Sequence, residues 1–237
     1  MDVARSALAI ALAGAASLHG NLSARTPPRT WLDANGYSWT EDHRSAEQSG
    51  LADRTARKGR TTARGSLRFG PFVVLNPSRA LLTGATDGAS PSHFAAMRAE
   101  FPRIAILEMR DCPGTHDDVA NLRLGRMIRA SGISTVVPRH GSVRSGAVDL
   151  FIAGRTRKAA NDADFGVHAW QDQRGLGPHD FLTNDRSNQM YLDYYAQMGM
   201  SHGGATAFYN LTNAASNDSV IWLAREDLGR FIRVESQ

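Results

Sequence analysis

Cysteine is almost missing from this chain: Cys112 is the only one in 237 residues. One thiol cannot close an internal disulfide, and one thiolate is too few for a cysteine-based zinc site. Lysine is almost missing too, with Lys58 and Lys158 alone, so that 25 of the 27 basic residues are arginine. No two of the eight histidines lie three to five residues apart, which excludes a local histidine pair for a metal. With 42% apolar and 21% charged residues the composition is that of a chain with a packed core. It excludes collagen, coiled-coil and disulfide-scaffold classes. The formal charge of +4 is unevenly placed. Residues 1–69 hold 10 basic and 6 acidic side chains, whereas residues 70–237 hold 17 of each. A nucleic-acid-binding domain carries its basic excess on a folded face, so no nucleic-acid partner is expected.

The apolar run at residues 6–18, SALAIALAGAASL, is shorter than the ~20 residues of a typical membrane crossing and has the length of a secretory h-region. Ala15 and Ser17, or Leu22 and Ala24, offer small or neutral positions for a signal peptidase. Residues 1–24 therefore read as a signal peptide or a short N-terminal apolar anchor. A short buried helix with no targeting role is the alternative. The expected location is periplasmic or secreted, or held at the membrane through an uncleaved N-terminal segment, which is the only membrane contact expected. Residues 25–68 read as a basic disordered linker, rich in Pro, Arg, Ser, Thr and Gly and poor in large apolar groups. Its six basic residues from Arg54 to Arg68, with no acid among them, read as a solvated run. Contact with anionic lipid or nucleic acid is the alternative.

Residues 69–237 carry the pattern of a folded domain. Phe72–Leu75 and Ala80–Leu82 form a pair of short strands turned at Asn76-Pro77-Ser78. Ser90 is placed to cap a helix near 91–100 with Pro91 at its first position. Ile104–Met109 is a buried strand, and Asp111-Cys112-Pro113-Gly114 a turn. A helix follows over 117–130, with Val119, Leu122, Met127 and Ile128 on its apolar face and Gly132 ending it. Residues 133–137, 146–153 and 165–168 read as strand, helix and strand. Strand and helix alternating at this spacing give right-handed βαβ units and a mainly parallel sheet, hence an α/β fold. Residues 187–232 read as helical. Their stripe Tyr191, Tyr194, Tyr195, Met198 is either core or an interface.

Parallel sheets place ligands at strand ends, and three features sit there. Asp111-Cys-Pro-Gly-Thr115 supplies a glycine whose backbone can turn toward an anion. Gly141-Ser-Val-Arg-Ser-Gly146 opens a helix, where Ser142 and Ser145 serve as N-caps or as nucleophiles. His168 ends the last strand, as a hydrogen-bonded core histidine or as a base. The segment is not the G-x-S-x-G elbow of α/β-hydrolases, and no phosphate loop, H-E-x-x-H or convincing dinucleotide fingerprint is present.

Taken in order, these motifs resemble the Clp protease proteolytic subunit and its relatives in the ClpP/crotonase superfamily, closest to its exported bacterial ClpP-like group. The resemblance covers about residues 70–232. It implies a ClpP/crotonase-like stacked ββα spiral with a mainly parallel sheet and a C-terminal helical region. It implies Ser145 as nucleophile, His168 as base, and oxyanion N–H groups from Gly114 or Thr115 and from Gly146. A third residue, an acid, should precede Val220-Ile-Trp222. Ser216 and Asn213 match best by spacing and are not acids. Asp218 is the nearest carboxylate and the choice, and Asp172 the second. The chain departs from the pattern in having one glycine at the turn, followed by Thr115-His116, and in the bulky Arg144 before the serine. Arg144 and Thr115 are expected at the substrate, or Arg144 across the site. His116 and His140 are alternative bases. Cys112 reads as a buried structural residue, with a reactive thiol as the alternative.

Three functions follow. One is a serine hydrolase acting on a peptide or small acyl substrate. Another is an inactive relative that binds or scaffolds, and the third a crotonase-type acyl-CoA site with a positive rim. No cofactor, no metal and no ATPase partner are expected. A homo-oligomer is implied by analogy.

Overall fold

The computed structural model describes residues 67–237, together with the backbone of Thr30–Leu32 (β1) and Ser38–Thr40 (β2). These two strands pair antiparallel with Trp31 opposite Trp39, inside the stretch expected to be a linker. The apolar segment at residues 1–24 and the rest of the linker up to residue 66 lie outside the described residues.

The domain begins with an antiparallel meander of Arg68–Phe69 (β3), Phe72–Asn76 (β4) and Arg79–Leu82 (β5), followed by the helix Ser90–Glu100 (α1). Three units of the same plan come next. Ile106–Met109 (β6), Asp111–Cys112 (β7) and the helix Asp118–Ala130 (α2) form the first. Ser134–Val137 (β8), Ser142–Arg144 (β9) and the helix Gly146–Ile152 (α3) form the second. Arg157–Ala159 (β10), Asp164–Val167 (β11) and the helix Arg186–Gln197 (α4) form the third. The helix His202–Thr212 (α5), the strand Ile221–Leu223 (β12), the short helix Arg225–Leu228 (α6) and the strand Glu235–Ser236 (β13) complete the chain.

Each unit gives its first strand to one sheet and its second to another. The large sheet runs β13-β10-β8-β6-β5-β4-β3, and the small one β12-β11-β9-β7. From β5 through β6, β8, β10 and β13, and from β7 through β9 to β11, all neighbours are parallel, whereas β3–β4, β4–β5 and β11–β12 pair antiparallel. This is the stacked ββα spiral that the resemblance implies. Leu107, Met109, Cys112, Val143, Phe151 and Phe165 are fully buried in the shared core, each large apolar side chain contributing ~1.5–3 kcal/mol.

Several local expectations need correction. Asp111-Cys112 is a strand, because it pairs in register with Ser142-Val143. Ser90 is not the cap of α1 but its first residue. Its hydroxyl donates to Asp87 and accepts from the Asp87 N–H. Val119 is 69% exposed, since the buried stripe of α2 runs through Asn121, Leu122, Leu124, Gly125 and Ile128. Region 187–232 is not helical throughout, as β12 pairs with β11. Tyr191, Tyr194, Tyr195 and Met198 are buried inside the chain, so the stripe is core and not an interface. Tyr194 explains one glycine there: a Cβ on Gly125 would come 1.9 Å from the Tyr194 hydroxyl. Among the described residues no helix is long and apolar enough to cross a membrane.

Candidate active site

The ββα plan brings the ends of β7, β9 and β11 together. Ser145 follows β9 and takes the N-cap position of α3 with φ 52 and ψ −137, yet its side chain makes no capping bond. Its N–H donates to the Gly166 carbonyl of β11 at 2.7 Å, tying the serine to the strand that leads into His168. Gly114, at φ +131, lies directly against it: a Cβ there would sit 2.8 Å from Ser145 Cβ and 3.1 Å from its Oγ. The positive φ and the close approach both require glycine. Gly146 is as crowded, for a Cβ would meet Thr115 Cγ2 at 2.6 Å. As the first residue of α3 its N–H has no partner within the helix.

A buried polar brace fixes these pieces. The Asn121 amide donates to the Gly146 carbonyl at 2.7 Å, and the Thr86 hydroxyl donates to Asn121 Oδ1 at 2.9 Å. The Thr86 N–H donates to the Gly114 carbonyl at 3.0 Å. Thr115 Oγ1 accepts from the Asp117 N–H and holds the turn before α2. Asn121 and Thr86 each keep only 1% exposure, and burial of satisfied polar groups gives such a network rigidity.

Ser145, Gly146, Thr115 and His168 line one cavity of about 330 Å³, within the usual ~300–1,000 Å³ range of ligand pockets. His168 Nδ1 lies 2.9 Å from the Ala169 carbonyl and 3.4 Å from the Asn217 amide. Asn217 also donates to that carbonyl at 3.0 Å. Among the described residues no hydrogen bond joins Ser145 Oγ to His168.

The Asp218 carboxylate accepts from the Ser216 and Ser219 hydroxyls, and the neighbouring Asn217 brings its amide to 3.4 Å from His168 Nδ1. Asp172 pairs with Arg174 and accepts the Leu176 N–H. Asn213 lines the cavity, its amide donating to the Tyr209 carbonyl and its Oδ1 buried without a partner. Arg144 neither lines the cavity nor crosses Ser145. Its guanidinium donates to Ser142 and pairs with Asp111 at 2.8 Å. His140 pairs with Asp162 on the surface, and His116 is exposed, its N–H bonded to the Thr86 carbonyl. Cys112 is buried with its thiol on the Leu82 carbonyl, and burial pushes that thiol up to about 12, so no thiolate forms near neutrality.

Two carboxylates in the cavity escaped the sequence reading. Asp149, 8% exposed, projects from an otherwise apolar α3, and Asp118 from the first turn of α2. Burial, then the charge of Asp118, pushes Asp149 up to about 8 despite the Tyr195 hydroxyl. Burial also raises Asp118, against the stabilising Tyr191 hydroxyl, with Asp117 raising it further and His168 lowering it. A lone charge in the run Gly146–Ile152 was the available signal for Asp149. Asp118 was hidden by its ordinary fit to a helix dipole.

No family model matches the chain, and no curated relative does. Among solved structures it is similar to a membrane protease specific for a stomatin homolog from Pyrococcus horikoshii. That likeness has 14% identity over 66% of this chain and 71% of the other, with a TM-score of 0.43. It is also similar to a ClpP1 mutant from Listeria monocytogenes, at 12% identity over 68% and 92%, TM-score 0.46. A third is a probable enoyl-CoA hydratase/isomerase from Mycobacterium abscessus, at 12% identity over 72% and 70%, TM-score 0.45. The ClpP/crotonase-like fold class rests on the ββα repeat and the strand order given above.

Proposed function

We propose that the chain is a serine hydrolase acting on peptide or small acyl substrates, with Ser145 as nucleophile and His168 as base. The observation that carries this reading is the backbone of Ser145. A non-glycine residue at φ 52, ψ −137 is strained, at a cost on the order of 1–3 kcal/mol. The strain is not relieved by capping, and it sets the hydroxyl between Gly114 and the cavity. With Nδ1–H donating to the Ala169 carbonyl, the imidazole keeps Nε2 free to take the proton of Oγ. The Gly146 N–H and the backbone of Gly114 stand where a developing oxyanion needs donors, each such donor supplying ~10²–10³ in rate. The Ala169 carbonyl holds the imidazole in this tautomer, and Asp218, next to Asn217, is the proposed third residue of the triad, with the charge of Asp118 nearby.

One observation favours a second reading, a binding protein without catalysis: Ser145 and His168 share the cavity but are not hydrogen-bonded. A crotonase-type acyl-CoA site has less support, for no arginine or lysine lines the cavity to meet phosphates. The proposal includes export, resting on the apolar run at residues 6–18, and a homo-oligomeric state. Subcellular fractionation and light scattering on the purified chain test these.

Fluorophosphonate labelling at pH 7–8 tests the chemistry. The wild type should label. Ser145→Ala should not, and His168→Ala should label at least ~10²-fold more slowly. A wild type that is folded by its melting transition yet never labels overturns the hydrolase reading and leaves the binding protein.

A further inference from the structure

Arginine meets several carboxylates of this domain, the buried Glu108 among them. Glu108 pairs with Arg79 and Arg110, Asp111 with Arg144, Asp172 with Arg174, and Glu235 with Arg233. Asp118 and Asp149 differ. Among the described residues no arginine or lysine pairs with either, and the only basic side chain lining their cavity is His168. Other carboxylates without an arginine partner, such as Asp87, Asp117, Asp164 and Asp193, are exposed to water, whereas Asp149 is buried and Asp118 partly buried.

Other groups in the cavity point the same way. Asn213 Oδ1 is buried with no hydrogen-bond partner. The Tyr191 hydroxyl, on a residue 4% exposed, faces Asp118 and favours its charged form against the effect of burial. Both residues line the cavity. Its walls include the rings of Trp170, Tyr191, Tyr195 and Phe208, with Trp170 and Tyr191 stacked at 6.1 Å. Trp170 is fixed by its Nε1–H donating to the Tyr209 hydroxyl at 2.9 Å. An acceptor without a donor, two carboxylates without a cation and aromatic faces together suit a ligand that is a cation and a multiple hydrogen-bond donor.

We propose that this cavity is a specificity pocket for a guanidinium or ammonium group of the substrate, with Asp118 and Asp149 as its counter-charges and Asn213 Oδ1 as a further acceptor. The proposal rests on the hydrolase reading for the identity of the reacting bond, and on the cavity alone for the cation. Asp149 lies four residues after Ser145 on the same helix, a rise of about 6 Å. The charged group therefore belongs to the residue next to the cleaved bond, such as an arginine or lysine side chain. Burial and the charge of a neighbouring carboxyl raise both groups when no cation is present, and a bound cation favours their charged forms.

The test uses benzamidine and its neutral isostere benzamide, titrated calorimetrically into the full chain, with fluorophosphonate labelling run in parallel. The wild type should bind benzamidine at least about ten-fold tighter than benzamide. Asp118→Asn should lose that preference. Asp149→Asn, which keeps the shape of the buried site, should weaken it as well, and Asp118, less buried than Asp149, provides the variant that folds if Asp149→Asn does not. Equal affinity for the two probes, or a preference that survives Asp118→Asn, overturns the cation pocket. The two readings fail separately. A protein that labels but does not distinguish the probes keeps the hydrolase and loses the pocket. A protein that prefers benzamidine through Asp118 but never labels keeps the pocket and loses the hydrolase.

Discussion

Glu108, on the large sheet, is buried and met by two arginines, Arg79 at 2.8 Å and Arg110 at 2.5 Å. Asp149, on the helix that starts at Ser145, is as deeply buried and is met by none. The two carboxylates have the same chemistry and opposite consequences. Through its two arginines Glu108 ties β5 to β6 and the turn beyond. Isolation costs Asp149 its charge at neutral pH and costs the fold stability. Asp149 is buried without a cation in the cavity that also holds Ser145, so the missing pair falls at the proposed site and not on the solvated surface.

Three substitutions sharpen that contrast. The largest effect belongs to Asp149→Asn. Its carboxyl titrates near 8 in the folded chain against an ordinary value near 3.8. Below pH 4 both folded and unfolded states hold the proton, and the group is neutral to stability. As pH rises from 4 to 8 the unfolded chain releases its proton and the folded one keeps it, so wild-type stability falls across that window. Asp149→Asn should therefore melt higher than the wild type at pH 8, by a few kcal/mol, and the two should converge near pH 4. Thermal scans at both values check this. Next is Glu108→Gln, which leaves the two guanidinium groups without their counter-charge. Because both arginines are partly exposed, the loss should be about 1–2 kcal/mol. That lowers the melting temperature by ~2–4 °C for each kcal/mol in a domain of this size. The smallest effect is Arg144→Ala. Its partner Asp111 is 53% exposed, so the change should stay below ~1 kcal/mol and leave labelling of Ser145 intact. A loss of labelling there would return Arg144 to the substrate.

The spiral was legible where apolar runs were long enough to carry a period. Ile106–Met109, Ser134–Val137 and the helices flanking them follow directly from residues such as Leu107, Val136 and Leu122. The second sheet was mostly illegible. Asp111–Cys112 and Ser142–Arg144 are two and three residues long and partly polar, and only mutual pairing makes them strands. Ile221–Leu223 was lost inside a helical reading for the same reason. The motif spacing placed Ser145, Gly114, Gly146, Thr115 and His168 around one point, and the structure brings these five together. Asp118, Asp149 and Asn217 come to it from positions with no shared motif, through the packing of α2 on α3 and the return of the chain after α5. Asp218, the nearest carboxylate to the position that spacing marks, accepts from the Ser216 and Ser219 hydroxyls.

The single thiol has a practical use. Cys112 lies at the centre of the core with its proton held to about pH 12. A maleimide offered to the native chain will find nothing to alkylate, while each opening of the core exposes one reactive sulfur. Alkylation rate thus becomes a clock for excursions of the core that needs no engineered label. The same silence in the folded state lets a cysteine introduced at the cavity rim carry a fluorophore by itself.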